Sequence, residues 1–152
     1  MKKKVEPAPI PAAVMAIFVY MGLKEWNAIT SDVNEAECEV IEVLGKQFSW
    51  QARYSGKDNV LGRYKFKYYD ATNEFGMDLN DPASFDDFVP RELHLPLQKR
   101  VLLKIRARDV IHSVYLPHFR VKMDAVPGMA TKFHFLPRML PASTINLVIS
   151  CD

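Results

Sequence analysis

The fold is decided by the stretch Gln47–Tyr54, QFSWQARY, in which two kinds of side chain alternate strictly. Its aromatic and apolar residues share one face of an extended chain, and its polar residues share the other. Because successive side chains of a strand point to opposite faces of a sheet, this pattern predicts a half-buried β-strand. The turn-rich segment Ser55–Gly62 follows, and Tyr64–Tyr68 then alternates aromatic with basic residues. We therefore expect a hairpin between Gln47–Tyr54 and Tyr64–Tyr68.

Three further segments, Leu93–Leu97, Val101–Ala107 and Ile145–Cys151, alternate in the same way. The first contains Pro96, which cannot donate to a ladder, so it is expected to be an edge strand. In the second, Arg106 belongs to the polar face and is expected to lie outside the core. Helical periodicity is missing after about residue 30. The pattern predicts an all-β antiparallel sandwich or barrel in residues 31–152.

Composition restricts the function classes. The chain has 152 residues, enough for one domain of ordinary size, and a net charge of +2, too small to indicate nucleic acid as a partner. Its two cysteines, Cys38 and Cys151, do not make a disulfide framework. The segment Asp70–Pro90 is rich in acidic residues and has no Lys or Arg. It is either a solvated acidic loop or a docking face for a charged protein.

The N-terminal residues 1–30 raise the question of a membrane. Three lysines precede a segment, Pro7–Leu23, that has no charged residue. Prolines at its start restrict the predicted helix to about Ala12–Trp26, short for crossing a bilayer alone. A signal peptide is disfavoured because no small-residue cleavage site follows the segment. A buried helix is disfavoured because the segment would be apolar on every face. We expect a membrane anchor with the lysines on the cytoplasmic side.

His112 is the residue of the chain that most resembles a metal ligand. It follows a predicted strand and stands in a segment with two prolines, where a sheet would fix the base of the loop. An isolated histidine is more often structural, and no H-x-x-H, C-x-x-C or H-E-x-x-H pattern supports it. His94, His118 and His134 are expected to be surface or packed imidazoles. Since no nucleophile and base are paired in the sequence, a hydrolytic enzyme is disfavoured.

The residues around His112 resemble the signature of subunit 2 of haem-copper cytochrome c oxidases. Asp109–Ser113 corresponds to D-V-[IL]-H-S, Pro117 to the proline that follows it, and Lys122–Gly128 to K-x-D-A-[IV]-P-G. Upstream, Gly45–Tyr54 resembles the aromatic strand of that family, and Ile10–Trp26 resembles the second half of its second transmembrane helix. The turn and the acidic segment after Tyr54 are similar to versions from Bacteroidetes-type oxidases.

The resemblance implies a cupredoxin-like Greek-key β-barrel on the periplasmic side of a bacterial inner membrane, preceded by a partial transmembrane helix. It implies a binuclear copper centre with His112 as one ligand and Cys151 at the position of another. The remaining ligands of the family have no counterpart in the sequence. We therefore expect a subunit truncated at both ends that binds copper weakly or not at all.

The same resemblance implies the partners, cytochrome c as electron donor and the catalytic oxidase subunit as acceptor. Electrons would enter at the aromatic strand, where Phe48 stands at a position that is often tryptophan and Trp50 is the second candidate. Asp86 and Asp87 of the acidic segment would dock the donor. The alternative is a metal-free β-barrel that serves in binding or assembly, or an inactive fragment of the subunit.

Overall fold

The computed structural model describes residues 9–138, and the chain divides into two compact units between Asp32 and Val33. The predicted strand Ile145–Cys151, including Cys151, lies outside the described residues. The first unit contains the helix α1 (Pro9–Thr30), which is longer than predicted at both ends. Pro9 and Pro11 lie in its first turn, where backbone N–H groups have no partner within the helix, so the prolines break no hydrogen bond. Of the described helices, none is both long and apolar enough to cross a bilayer.

The second unit is built on a four-stranded sheet in the order β2-β1-β3-β6. The strands are β1 (Cys38–Lys46), β2 (Ser49–Tyr54), β3 (Arg100–Ala107) and β6 (Thr131–Phe135). A separate hairpin pairs β4 (His112–Leu116) with β5 (Val121–Ala125). The core lies between the sheet and this hairpin, where Val114, Leu116 and Ala125 pack with the buried residues of the sheet.

The predicted strand in Gln47–Tyr54 is confirmed as β2, but its predicted partner was wrong. β2 pairs with β1 in antiparallel register from Ile41 opposite Tyr54 to Lys46 opposite Ser49. Tyr64–Tyr68 forms only an isolated bridge to Met77 and one turn of 3-10 helix. The sequence did not reveal β1 because that strand is buried on both faces and so does not alternate clearly.

Three other expectations need correction. Leu93–Leu97 does not form a strand, although Leu93 is buried. The backbone C=O and N–H of His94 form hydrogen bonds with the Tyr54 hydroxyl, so they are not used in a strand ladder. The sheet is mixed rather than antiparallel: β1 and β3 run parallel, which the long connection between β2 and β3 permits. The strand predicted in Val101–Ala107 is confirmed as β3, yet Arg106 on its polar face is buried.

Candidate metal and electron-transfer site

His112 is the first residue of β4 and pairs with Ala125 of β5, rather than lying in a loop. Its position in the hairpin turns the imidazole toward the four-stranded sheet, and only 3% of its surface is exposed. A buried imidazole needs hydrogen-bond partners, because an unpaired polar group is costly away from water. The surroundings of His112 therefore show how the ring is held.

Asp109 holds the imidazole from three residues upstream. Its Oδ1 lies 2.6 Å from His112 Nε2 and also accepts the backbone N–H of Val110 at 2.7 Å. Its Oδ2 accepts the backbone N–H of Gln47 at 2.6 Å. The Asp109 carboxylate therefore connects His112 with the turn between β1 and β2.

These contacts determine the acidity of Asp109. Partial burial alone would raise its pKa, but hydrogen bonds from His112 and from the N–H groups of Val110 and Gln47 outweigh that effect. Together they lower the pKa to about 2. Asp109 is therefore a carboxylate at neutral pH and orients His112. A histidine oriented by a carboxylate is the usual outer arrangement of a metal-ligating imidazole.

Trp50 also packs against His112. The two ring centroids are 5.6 Å apart in an edge-to-face arrangement. Gly45 of the adjacent strand permits this contact, because a Cβ atom there would lie 3.1 Å from both rings. The indole Nε1 is buried without a hydrogen-bond partner among the described residues. Trp50, which was predicted as a candidate for electron entry, therefore packs against His112.

Phe48 occupies the turn between β1 and β2. Its side chain is 94% exposed, and its backbone has the left-handed φ of 68° that the tight turn requires. At this exposure the ring gains almost none of the free energy that burial of an apolar side chain supplies. The structure thus presents an aromatic ring on the surface two residues before the partly buried Trp50.

The acidic segment uses most of its charge internally. The Asp87 carboxylate is fully buried and forms an ion pair with Arg53, and Asp86 accepts backbone N–H groups of Lys57 and Asp58. Those backbone hydrogen bonds lower the pKa of Asp86. Three further acids of the segment form ion pairs, Glu74 with Lys46, Asp78 with Lys65, and Asp81 with Arg63. Burial of Asp87 argues against its predicted contact with a partner.

The described residues provide one candidate ligand and not a complete metal site. Within residues 9–138, no group of three or more His, Cys, Asp or Glu side chains is placed to hold a metal ion. Cys38 is buried in a separate apolar cluster with Val40 and Leu102, and burial raises the pKa of its thiol. Asp109 belongs to the motif around His112, but the motif alone did not predict that its carboxylate holds the imidazole. A carboxylate three residues before a candidate ligand was the available signal.

Comparison with known families gives one match over most of the second unit. The family model described as cytochrome C oxidase subunit II, periplasmic domain, matches residues 39–139. This range includes the turn with Phe48, the strand with Trp50 and the motif with His112.

Individual relatives agree with this match. The chain is 37% identical over 125 residues to the alternative cytochrome c oxidase subunit 2 of Bradyrhizobium diazoefficiens, covering 81% of this chain and 44% of that protein. It is 34% identical over 127 residues to cytochrome c oxidase subunit 2 of Aedes aegypti, covering 84% of this chain and 52% of that protein. The chain thus spans about half the length of these relatives. The solved periplasmic domain of cytochrome oxidase subunit II from Bradyrhizobium japonicum is 24% identical, with a TM-score of 0.44 and coverage of 66% and 64%.

Proposed function

The chain belongs to the family of periplasmic domains of cytochrome c oxidase subunit II, and on that premise we propose that it accepts electrons for such an oxidase. Cytochrome c would be the donor and the catalytic haem-copper subunit the acceptor. The observation that carries the proposal is the contact between Trp50 and His112 at the turn where Phe48 is exposed. The three side chains lead from the surface to the buried candidate ligand.

Each residue has a distinct part in this proposal. Phe48 meets the donor, because its ring stands outside the fold and contributes little to the core. Trp50 joins the surface to the site, since its ring packs on the core and on His112. Asp109 is a positioning residue that keeps the imidazole in one orientation through the 2.6 Å contact with Nε2. Docking of the donor by Asp86 and Asp87 stays a prediction, and the burial of Asp87 does not favour it.

We also propose that His112 and Cys151 are ligands of a binuclear copper centre. When bound, copper would supply a redox couple whose soft thiolate and imidazole ligands suit the metal. The protein's part is to hold His112 with Asp109 and to keep water from the ring, as the 3% exposure shows. Copper titration of His112→Asn should show lower affinity than the unchanged chain, whereas His118→Asn on the surface should not.

The location proposed is the periplasmic side of a bacterial inner membrane, with residues 1–30 as part of an anchor. The support is the uncharged segment Pro7–Leu23 and the apolar side chains of α1, among them Phe18 and Leu23, which are exposed in the described chain. Lysines at the N-terminus favour the cytoplasmic side for that end.

The experiment is a measurement of electron transfer in an oxidase that contains this subunit. Rapid mixing with reduced cytochrome c should show markedly slower electron uptake by Trp50→Leu. Tyr115→Leu is the matched control, because Tyr115 is an exposed aromatic on β4. Equal uptake by Trp50→Leu, Tyr115→Leu and the unchanged oxidase would contradict the proposed route.

A metal-free binding or assembly module is the second candidate. It is favoured by the single candidate ligand among residues 9–138. If the unchanged chain bound no copper in the titration and His112→Asn left oxidase assembly intact, the role of His112 would be structural and this second candidate would be preferred.

A further inference from the structure

A cleft opens between the segment Tyr64–Tyr69 and the end of β3. Its cavity has a volume of about 250 Å³. Its lining includes Tyr64, Phe66, Tyr69, Arg106, Arg108 and Met129. We refer to it as the Arg108 cleft.

The aromatic wall of the Arg108 cleft is fixed to the sheet before any ligand binds. Arg106 Nη1 donates to the Tyr69 hydroxyl at 2.9 Å, and the guanidinium lies 3.6 Å from the centre of the Tyr64 ring. The backbone N–H of Lys65 donates to Gly76 O at 2.8 Å. Gly76 has a φ of 64°, and a Cβ atom there would lie 2.8 Å from Lys65 O. Such preorganisation lowers the entropy lost on binding.

The two arginines of the cleft differ in charge balance. Arg106 is neutralised by a buried ion pair with Glu42 and donates to Phe75 O as well. Arg108 has no ion-pair partner among residues 9–138, and its guanidinium lies 5.7 Å from the centre of the Tyr69 ring. The cleft therefore offers one accessible positive charge beside aromatic rings.

The rim of the cleft exposes large apolar side chains. Phe66 is 83% exposed, and Tyr64 and Met129 are also exposed. Aromatic residues, methionine and arginine are the types enriched in protein interfaces. A rim of this composition around a guanidinium fits a protein surface that carries carboxylates, because arginine can bind a carboxylate through two parallel hydrogen bonds.

The cleft is also close to the candidate electron-transfer site. The backbone N–H of Arg108 donates to Gly45 O at 2.8 Å, and the Cα of Gly45 faces the rings of Trp50 and His112. Arg108 precedes Asp109 directly. A protein seated on the cleft would thus lie beside the residues that hold His112.

We propose that the Arg108 cleft docks the electron donor through an acidic surface of that donor. The inference rests on the proposed function and specifies the partner's chemistry. The competing acidic surface of Asp70–Pro90 is partly neutralised, because Asp87, Glu74 and Asp78 form ion pairs with Arg53, Lys46 and Lys65. Charge complementarity then governs the rate and specificity of association.

The test measures binding of the full chain to two probes, an acidic and a basic c-type cytochrome, at low and high ionic strength. We expect the acidic cytochrome to bind more tightly and to lose affinity as salt rises. Arg108→Gln should weaken its binding about threefold and Arg108→Glu about tenfold. Phe66→Ser should also weaken binding, and it should fold normally because the ring is exposed. Lys57→Glu, an exposed cation outside the cleft, is the control and should change affinity little.

Tighter binding of the basic cytochrome would overturn the inference, as would equal effects of Arg108→Glu and Lys57→Glu. Because binding is measured without electron transfer, this outcome is separate from failure of the proposed function. Normal binding with no electron uptake by the intact oxidase would instead refute the function and leave the docking site in place.

Discussion

Both faces of the four-stranded sheet bury side chains, but the chemistry of those side chains differs. The inner face carries apolar side chains, among them Ile41, Leu103 and Phe133, which pack against the β4–β5 hairpin. The outer face carries Glu42, Arg53 and Arg106, which are also buried. Alternation along a strand thus separates apolar from polar residues, but it does not determine which face meets water.

The outer face is covered by the connection between β2 and β3. Arg53 is 0% exposed and bonds to Glu42 at 3.1 Å, to Gly62 O at 2.8 Å and to Asp87. Glu42 in turn pairs with Arg106. The charges of these four side chains sum to zero, which is the condition under which burial of ions is tolerated. We expect the two faces to respond differently to substitution.

The largest effect is expected for Arg53→Met. Removal of this guanidinium leaves the buried Asp87 carboxylate without its cation, which should lower the free energy of unfolding by about 4 kcal/mol. Urea unfolding followed by circular dichroism measures this loss. The variant Arg53→Met/Asp87→Asn is the control, because it restores neutrality while Glu42 keeps Arg106. A double variant as unstable as Arg53→Met would show that the charges are not the cause.

The next effect is expected on the inner face. Leu103→Ala should cost about 3 kcal/mol, through lost burial and the cavity left in the main core. Leu102→Ala is the matched substitution on the opposite face of β3, where a smaller cluster of Cys38 and Val40 surrounds it. Leu102→Ala should cost less than Leu103→Ala in the same urea titration. The reverse order would mean that the outer cluster, and not the inner core, stabilises the sheet.

Sequence alternation predicted the strands that have one apolar and one polar face, and the strands β2 and β3 confirm it. It could not predict that Arg106 is buried, because its partner Glu42 lies far away in the chain. It missed β1, which is covered on both faces. For the site, the motif identified His112, and only the fold showed that Trp50 and Asp109 contact it. Pairing across strands depends on long-range packing that local patterns do not contain.

The smallest effect concerns a histidine on the outer face. His134 lies on β6 opposite Leu102, and burial, followed by the positive charge of Arg100, lowers its pKa below the ordinary 6.5. The folded protein therefore prefers the neutral ring, whereas the unfolded chain takes up a proton near its ordinary pKa. The contribution of His134 to the free energy of unfolding is complete above the ordinary pKa. It is lost as the pH falls from there toward the lower pKa of the folded protein.

Urea midpoints measured from about pH 7.5 to about pH 5 should thus fall more steeply for the unchanged protein than for His134→Gln. His118→Gln, a change at an exposed ring, should follow the unchanged protein. If His134→Gln and the unchanged protein had parallel profiles, the outer face would accept a charged imidazole. The outer face would then differ from the inner face in its general polarity as well as in its balanced ion pairs.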